Sequence, residues 1–408
     1  MTTFHCRSCG KSHGRLVLDL GIQPLANKLL QTSDLSRPEL KFPLRLFVCE
    51  SCWLLQIVDI VPPVNLFSEY LYFSSVSEAL LSHAKEAAER YLQRFRLNAD
   101  SLVVEVASND GYLLGNFVAA KVPCLGIEPA SNIAKVAREK GIETLNDFFN
   151  STTATALVQQ GRKADLLLGN NVFAHVPDTN DFVRALGLLL KSTGSVVLEF
   201  PYACDLIEHS EFDTIYHEHV FYFTLTALIP LFARHSLEIY DVERLTIHGG
   251  SLRLFAGHRN THPVDPKIGE TLDRERSLGV NSSSYYECFS WNVLRLRRAL
   301  GDLLRRIKSE NRSIAAYGAS AKGSTLLNFY GLGKETLDFV VDRSPHKQGR
   351  LTPGSHLPIL SPDALVEQKP DFALLLTWNF AEEILRQQQS YRSLGGKFIV
   401  PIPEVRII

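Results

Sequence analysis

From residue 77 onward, helix-spaced apolar positions alternate with short β-branched runs. Residues 77–96 place Leu80, Leu81, Ala84, Ala87, Ala88 and Tyr91 at helical intervals, which predicts an amphipathic helix. Residues 102–107 form an apolar run that closes on Ser108-Asn109-Asp110-Gly111, predicting a strand, a tight exit and a helix from Tyr112. Residues 124–128 predict the next strand and 132–140 the next helix, with further strands over 164–170 and 194–200. That rhythm predicts a parallel sheet with helices on both faces. After a strand over 251–255, a loop rich in His, Pro and Asp leads to a long helix over 290–309. A second alternation then predicts strands over 313–318, 337–342, 371–378 and 397–402, with a helix near 324–330. Residues 1–66 are different, being rich in Cys, Pro and Leu, with short apolar runs and few helical patterns. The chain therefore reads as an α/β protein in three units: 1–66, 67–265, and a smaller α/β unit over 266–408.

Charge removes one class of partner. With 43 Lys+Arg against 44 Asp+Glu in 408 residues, the chain has no basic excess to neutralise a phosphate backbone, so nucleic acid is not an expected partner. The opening MTTFHCRSCGKSHGR has no apolar signal core, and the apolar runs at 186–190 and 372–376 are too short to span a bilayer. These features read as a cytoplasmic protein with no membrane partner, a monomer or weak oligomer. Four of the seven cysteines fall in two C-x-x-C knuckles, Cys6/Cys9 and Cys49/Cys52, while Cys124, Cys204 and Cys288 stand alone. Two such knuckles supply the four thiolates of a closed tetrahedral zinc shell, which is structural because catalysis needs an open position. The competing reading is reduced buried cysteines or a redox pair. His5 and His13 are spare ligands.

The first strand of the central unit carries Glu105 toward the turn holding Ser108, Asp110 and Gly111, at the carboxyl end where open α/β sheets bind ligands. Glu128 closes the next strand, about 20 residues on, as an acidic residue that grips ribose hydroxyls does. Asp147 is placed to reach an adenine ring, and Asn170 and Asn171 follow a later strand at the same rim. Only Gly111 stands where dinucleotide enzymes place three glycines, which argues against a pyrophosphate. The pattern suits S-adenosylmethionine, an adenosine without phosphate; the plainer alternative is a structural turn beside an incidental acidic residue.

The densest chemistry lies over 211–222, where Tyr216, His217, Glu218 and His219 are adjacent. The two histidines lie two apart rather than at the i, i+4 spacing of a helical zinc protease.

At this point the chain resembles the S-adenosylmethionine-dependent sugar C-methyltransferases of deoxysugar biosynthesis. The resemblance runs nearly end to end. It covers the four knuckle cysteines, the Tyr70-to-Ser75 segment, the Glu105-to-Gly111 turn and Gly126-Ile-Glu128-Pro129. It continues through Asn170-Asn171-Val-Phe-Ala-His175-Val-Pro177-Asp178, Tyr216-His-Glu-His219, His248-Gly-Gly-Ser-Leu-Arg253, Tyr317-Gly-Ala-Ser-Ala-Lys322-Gly323 and Val340-Val-Asp342-Arg343-Ser-Pro345. It implies a small N-terminal zinc-binding domain, a central Rossmann-like methyltransferase domain and a smaller C-terminal Rossmann-like domain that helps hold a dTDP-sugar. A 4-keto group acidifies the neighbouring C3–H, so a base makes an enolate whose carbon takes the methyl group. His219 is the expected base, since imidazole titrates near pH 6.5. Tyr216, on the same face if the segment is helical, is expected at the enolate oxygen. Glu218 or His175 orients the imidazole or holds a sugar hydroxyl. Tyr72, Ser74, Asn171, His217, His248 and Arg253 are expected at the substrate; alternatively Tyr70 and Phe73 only pack the linker. Gly318 to Gly323 with Asp342 imitates a dinucleotide fingerprint, but Ser320 replaces its middle glycine. Lys322 and the turn amides are therefore expected at the sugar diphosphate, with a purely structural βαβ turn as the alternative. Two other functions stay open: methylation of oxygen, nitrogen or a non-sugar keto acceptor, and a non-catalytic zinc-ribbon adaptor.

Overall fold

The computed structural model describes residues 4–67, 74–76 and 78–408, and its strands form three sheets. The N-terminal sheet contains β1 (Gly14–Pro24), β2 (Lys41–Cys49) and β3 (Leu55–Ile57). Its fourth strand, β9 (Phe221–Tyr222), comes from far along the chain and pairs antiparallel with β3, giving the order β1-β2-β3-β9. The short apolar runs expected here are in fact a long antiparallel ribbon. Register shifts at Leu16/Leu18 and Asp19/Ile22 break the period-two alternation that would have announced it.

The central sheet contains β4 (Val103–Val106), β5 (Cys124–Ile127), β6 (Thr144–Leu145), β7 (Ala164–Asn170), β8 (Leu190–Pro201), β10 (Leu237–Leu245) and β11 (Ser251–His258). Its order is β10-β11-β8-β7-β4-β5-β6, with β4 to β8 parallel and β11 antiparallel between β8 and β10. The chain winds outward from β4 to β6, then crosses back to β7, so β4 and β7 flank the topological switch point. All four residues of β4 are buried, as a strand covered on both faces requires. The helix Glu78–Arg94 covers one face through Ala84, Ala87, Ala88 and Tyr91, which join Leu166, Leu168 and Val197 in a core.

The C-terminal sheet contains β12 (Ile314–Tyr317), β13 (Val340–Val341), β14 (Ile359–Leu360), β15 (Phe372–Leu375), β16 (Lys397–Val400) and β17 (Arg406–Ile407). Its order is β14-β13-β12-β15-β16-β17, parallel except for β17. The 27-residue helix Ser283–Ser309 leads into it and buries Tyr286, Phe289, Val293, Leu296, Leu300, Leu304 and Ile307 along one stripe. One continuous core joins the sheets, from Leu46 through Phe173 and Phe223 to Ile314 and Leu374. Among the described residues no helix is long and apolar enough to cross a membrane.

Candidate active site

The exit of β4 is held in an unusual backbone. Ala107, Asn109 and Gly111 all take positive φ, at 53°, 50° and 78°. A Cβ on Gly111 would also lie 2.0 Å from the Ile142 side chain, so glycine is demanded twice. Such conformations are costly for Ala and Asn and collect at functional sites. Around this turn stand three buried carboxylates, Glu105, Asp110 and Glu128. Glu128 accepts the amides of Asn109 (3.0 Å) and Ala130 (2.9 Å), and each oxygen keeps a lone pair for a ligand hydroxyl. Asp110 accepts Lys140 Nζ at 2.9 Å and the Ser75 hydroxyl, and the Ser74 amide donates to Asn109 at 2.9 Å. Sequence reasoning missed Lys140, whose link to the turn has no local signature. Burial, reinforced by Glu128 and Asp110, drives the Glu105 carboxyl well above the usual carboxylate range.

Glu105 Oε2, Ser108 Oγ, Asp110 Oδ1 and Asn170 Oδ1 are buried and lack hydrogen-bond partners among the described residues. Buried acceptors without donors call for a ligand rich in donors or positive charge. The ammonium, ribose hydroxyls and sulfonium of S-adenosylmethionine fit that requirement. Asp147 is exposed, with its carboxylate accepting the Phe148 amide at 2.8 Å. Asn171 follows Asn170 in the left-handed region (φ 53°), and its amide donates to Glu199 O at 2.7 Å.

Three positions beyond Asn171, the chain reaches Ala174, whose carbonyl accepts the Val220 amide at 2.7 Å and brings in the second half of the site. Residues 216–219 form a turn rather than a helix, closed by His219 N to Tyr216 O at 2.9 Å. The turn stacks the two side chains directly, with ring centroids 4.1 Å apart and Tyr216 OH 2.8 Å from His219 Nε2. His219 Nδ1 lies 3.0 Å from the Thr214 carbonyl, which only accepts. Nδ1 therefore carries the proton and Nε2 presents the basic lone pair. The His175 ring meets His219 edge-on at 4.8 Å, and desolvation pulls its pKa down to about 4, so it is neutral. Within 216–220 only Tyr216 and His219 are incompletely buried. Glu218 is buried, with both oxygens accepting from Asn27 Nδ2 at 2.8 and 2.9 Å.

Three residues expected at the substrate have contacts within the chain. His217 faces away, with Nε2 3.1 Å from the Pro43 carbonyl of β2 and its ring against Phe42, because alternate turn residues point to opposite sides. Arg253, 2% exposed, is paired with Glu199 at 2.9 Å and Glu243 at 3.2 Å, with His83 completing the group. Lys322 lies 3.6 Å from Glu211 and over the Trp378 ring, while Trp378 Nε1 donates to Asp213 at 2.7 Å. Tyr72 and the side chain of His248 lie outside the described residues.

The knuckle cysteines come together. Their sulfurs lie within 4.8 Å of one another, with Cys6–Cys52 and Cys9–Cys49 each at 3.6 Å. Zinc–sulfur bonds of about 2.3 Å in a tetrahedron place sulfurs about 3.8 Å apart, so the set fits zinc. Cys52, facing Cys6, draws the Cys6 thiol down to about 5, toward the thiolate that metal binding needs.

Residues 6–67 match the family described as "Putative zinc binding domain", 80–242 match "Methyltransferase domain", and 246–403 match "C-methyltransferase C-terminal domain". The C-methyltransferase NovU of Streptomyces niveus is 37% identical over 404 residues, spanning 99% of this chain and 96% of that protein. The chain belongs to the C-methyltransferase family. As a C-methyltransferase it uses S-adenosylmethionine and carries a zinc-binding cysteine cluster. The C-methyltransferase is also similar to a ubiquinone biosynthesis O-methyltransferase of Bartonella tribocorum, 28% identical over 93 residues, or 22% of this chain and 38% of that one. Among solved structures, the magnesium protoporphyrin IX methyltransferase ChlM of Synechocystis PCC 6803 with bound SAH aligns with TM-score 0.35 and 12% identity, over 43% of this chain and 82% of that one.

Proposed function

We propose that this C-methyltransferase, acting in the cytoplasm, methylates the carbon next to the keto group of a dTDP-linked 4-keto deoxysugar. The observation that carries the reading is the Tyr216–His219 pair, half-buried with a fixed tautomer and in ring contact with His175 beyond the β7 rim. Bound S-adenosylmethionine supplies an electrophilic methyl group. Glu105, Asp110, Asn170 and Glu128 hold its donors at the β4–β7 rim. Nε2 of His219 takes the proton from the carbon beside the ketone, and the electron pair moves to the keto oxygen. Tyr216 turns its hydroxyl from Nε2 to that oxygen and stabilises the negative charge there. The enolate carbon forms the new C–C bond as the methyl–sulfur bond breaks, and His219 releases its proton to water. The peptide carbonyl of Thr214 keeps the imidazole in the tautomer that does this. His175, neutral, packs the ring in place without competing for the proton. Labelled methyl donor incubated with a panel of dTDP-4-keto deoxysugars, followed by mass spectrometry, tests the proposal. Label on the carbon α to the ketone, with solvent exchange of that proton before transfer, supports it; label on oxygen or nitrogen overturns it.

A further inference from the structure

The residues that flank His219 in the chain are fastened largely to the N-terminal unit. His217 bonds the Pro43 carbonyl, Glu218 takes Asn27, Val220 O accepts the Ile57 amide at 2.9 Å, and Phe221 and Tyr222 are the strand paired with β3. The cysteine shell lies at the other end of the same strands. Cys49 ends β2, Cys52 lies three residues before β3, and the Cys49 amide donates to Leu54 O at 3.0 Å. Gln56 joins the remaining knuckle to this hairpin through its side chain. Gln56, 1% exposed, accepts the Arg7 amide at 3.2 Å and donates to the His5 carbonyl at 3.3 Å, holding both neighbours of Cys6. Its backbone is in register with Phe221, two positions past His219.

We propose that the zinc-bearing sheet positions the catalytic turn, and that Gln56 is the positioning residue tying the first cysteine knuckle to β9. The proposal rests on the Tyr216–His219 pair being the reacting pair. A four-thiolate shell fixes both knuckles at once; Gln56 converts that fixed point into the register of β3, and β3 sets β9 and the turn before it. From the central unit, Ala174 and the Tyr202–Phe223 bridge meet the segment on its other side.

The full chain is compared in three forms: zinc-loaded, chelator-treated, and Gln56→Leu. Amide exchange is followed at residues 220–222 and, as a control, at 196–198 of β8; S-adenosylmethionine affinity and turnover are measured on each. Chelation and Gln56→Leu are expected to speed exchange at 220–222 at least tenfold and lower kcat at least tenfold. Exchange at 196–198 and S-adenosylmethionine affinity should stay within twofold, and zinc restores the chelated protein. Unchanged exchange at 220–222 overturns the proposal, as does faster exchange there with kcat intact. Loss of protection spreading to 196–198 also overturns it, because the effect is then global unfolding. If the wild type methylates no 4-keto sugar, the functional reading fails on its own while the exchange arm still decides the coupling.

Discussion

Asn27 and Glu218 stand 191 positions apart in the chain, yet one side-chain amide of Asn27 bridges both oxygens of the buried Glu218 carboxylate. Removing the donor takes two hydrogen bonds from a buried carboxyl, which costs roughly 1–3 kcal/mol. Asn27→Ala is therefore expected to lower Tm by several degrees and to reduce kcat more than it weakens S-adenosylmethionine binding. Thermal melts and calorimetry on the same preparation check both halves.

The two histidines of the turn should behave oppositely. Loss of a positioned general base costs about 10²–10⁴ in rate. His219→Ala is expected to fall in that range while binding S-adenosylmethionine normally. His217→Ala removes a ring packed on Phe42 and Pro43, so stability drops while kcat of the folded fraction stays within a few-fold. Comparable kcat losses in both would contradict the division of labour.

Glu105 gives a pH signature. Burial raises its pKa in the free protein, and a cationic ligand favours its ionised form. Affinity for S-adenosylmethionine should therefore increase as pH rises through that raised pKa. Glu105→Gln should bind at least tenfold more weakly above it and show a flatter pH dependence. Calorimetry across a pH series reads both effects.

Glu211 gives a stability signature of defined sign. Burial pushes its carboxyl from 4.5 up to about 8, only partly offset by Lys322. The folded state then binds a proton that the unfolded chain releases, so its contribution becomes less favourable as pH rises from about 4.5 to about 8 and levels off above. Glu211→Gln should grow more stable relative to the wild type over that interval, as denaturant midpoints measured at several pH values will show.

What the sequence revealed was local. Two C-x-x-C knuckles, the acidic exit of β4 and the Tyr-His-Glu-His run each carry their chemistry within a few positions, and the three-part α/β architecture follows from repeated periodicities. What stayed hidden depended on distant pairing. The β1–β2 ribbon lost its alternation to two bulges, and the two residues of β9 are too short to show any period. That His217 packs against β2 was hidden, because the sides of a four-residue turn cannot be told apart without knowing that β2 covers one of them. Asn27 and Gln56 carry no motif at all; their partners lie far along the chain or in another loop. That Lys322 sits beside Glu211 and Arg253 beside Glu199 was equally hidden, because these neighbours come from elsewhere in the fold.

The late arrival of β9 shapes how the protein is made. A ribosome finishes β1, β2 and both knuckles while the outer edge of β3 still has no neighbour, and only after Tyr222 has emerged can the strand order be completed. Bare strand edges recruit other chains. Prematurely terminated products that stop short of Phe221 should thus be the sticky species in its biosynthesis, however well their cysteines have already captured metal.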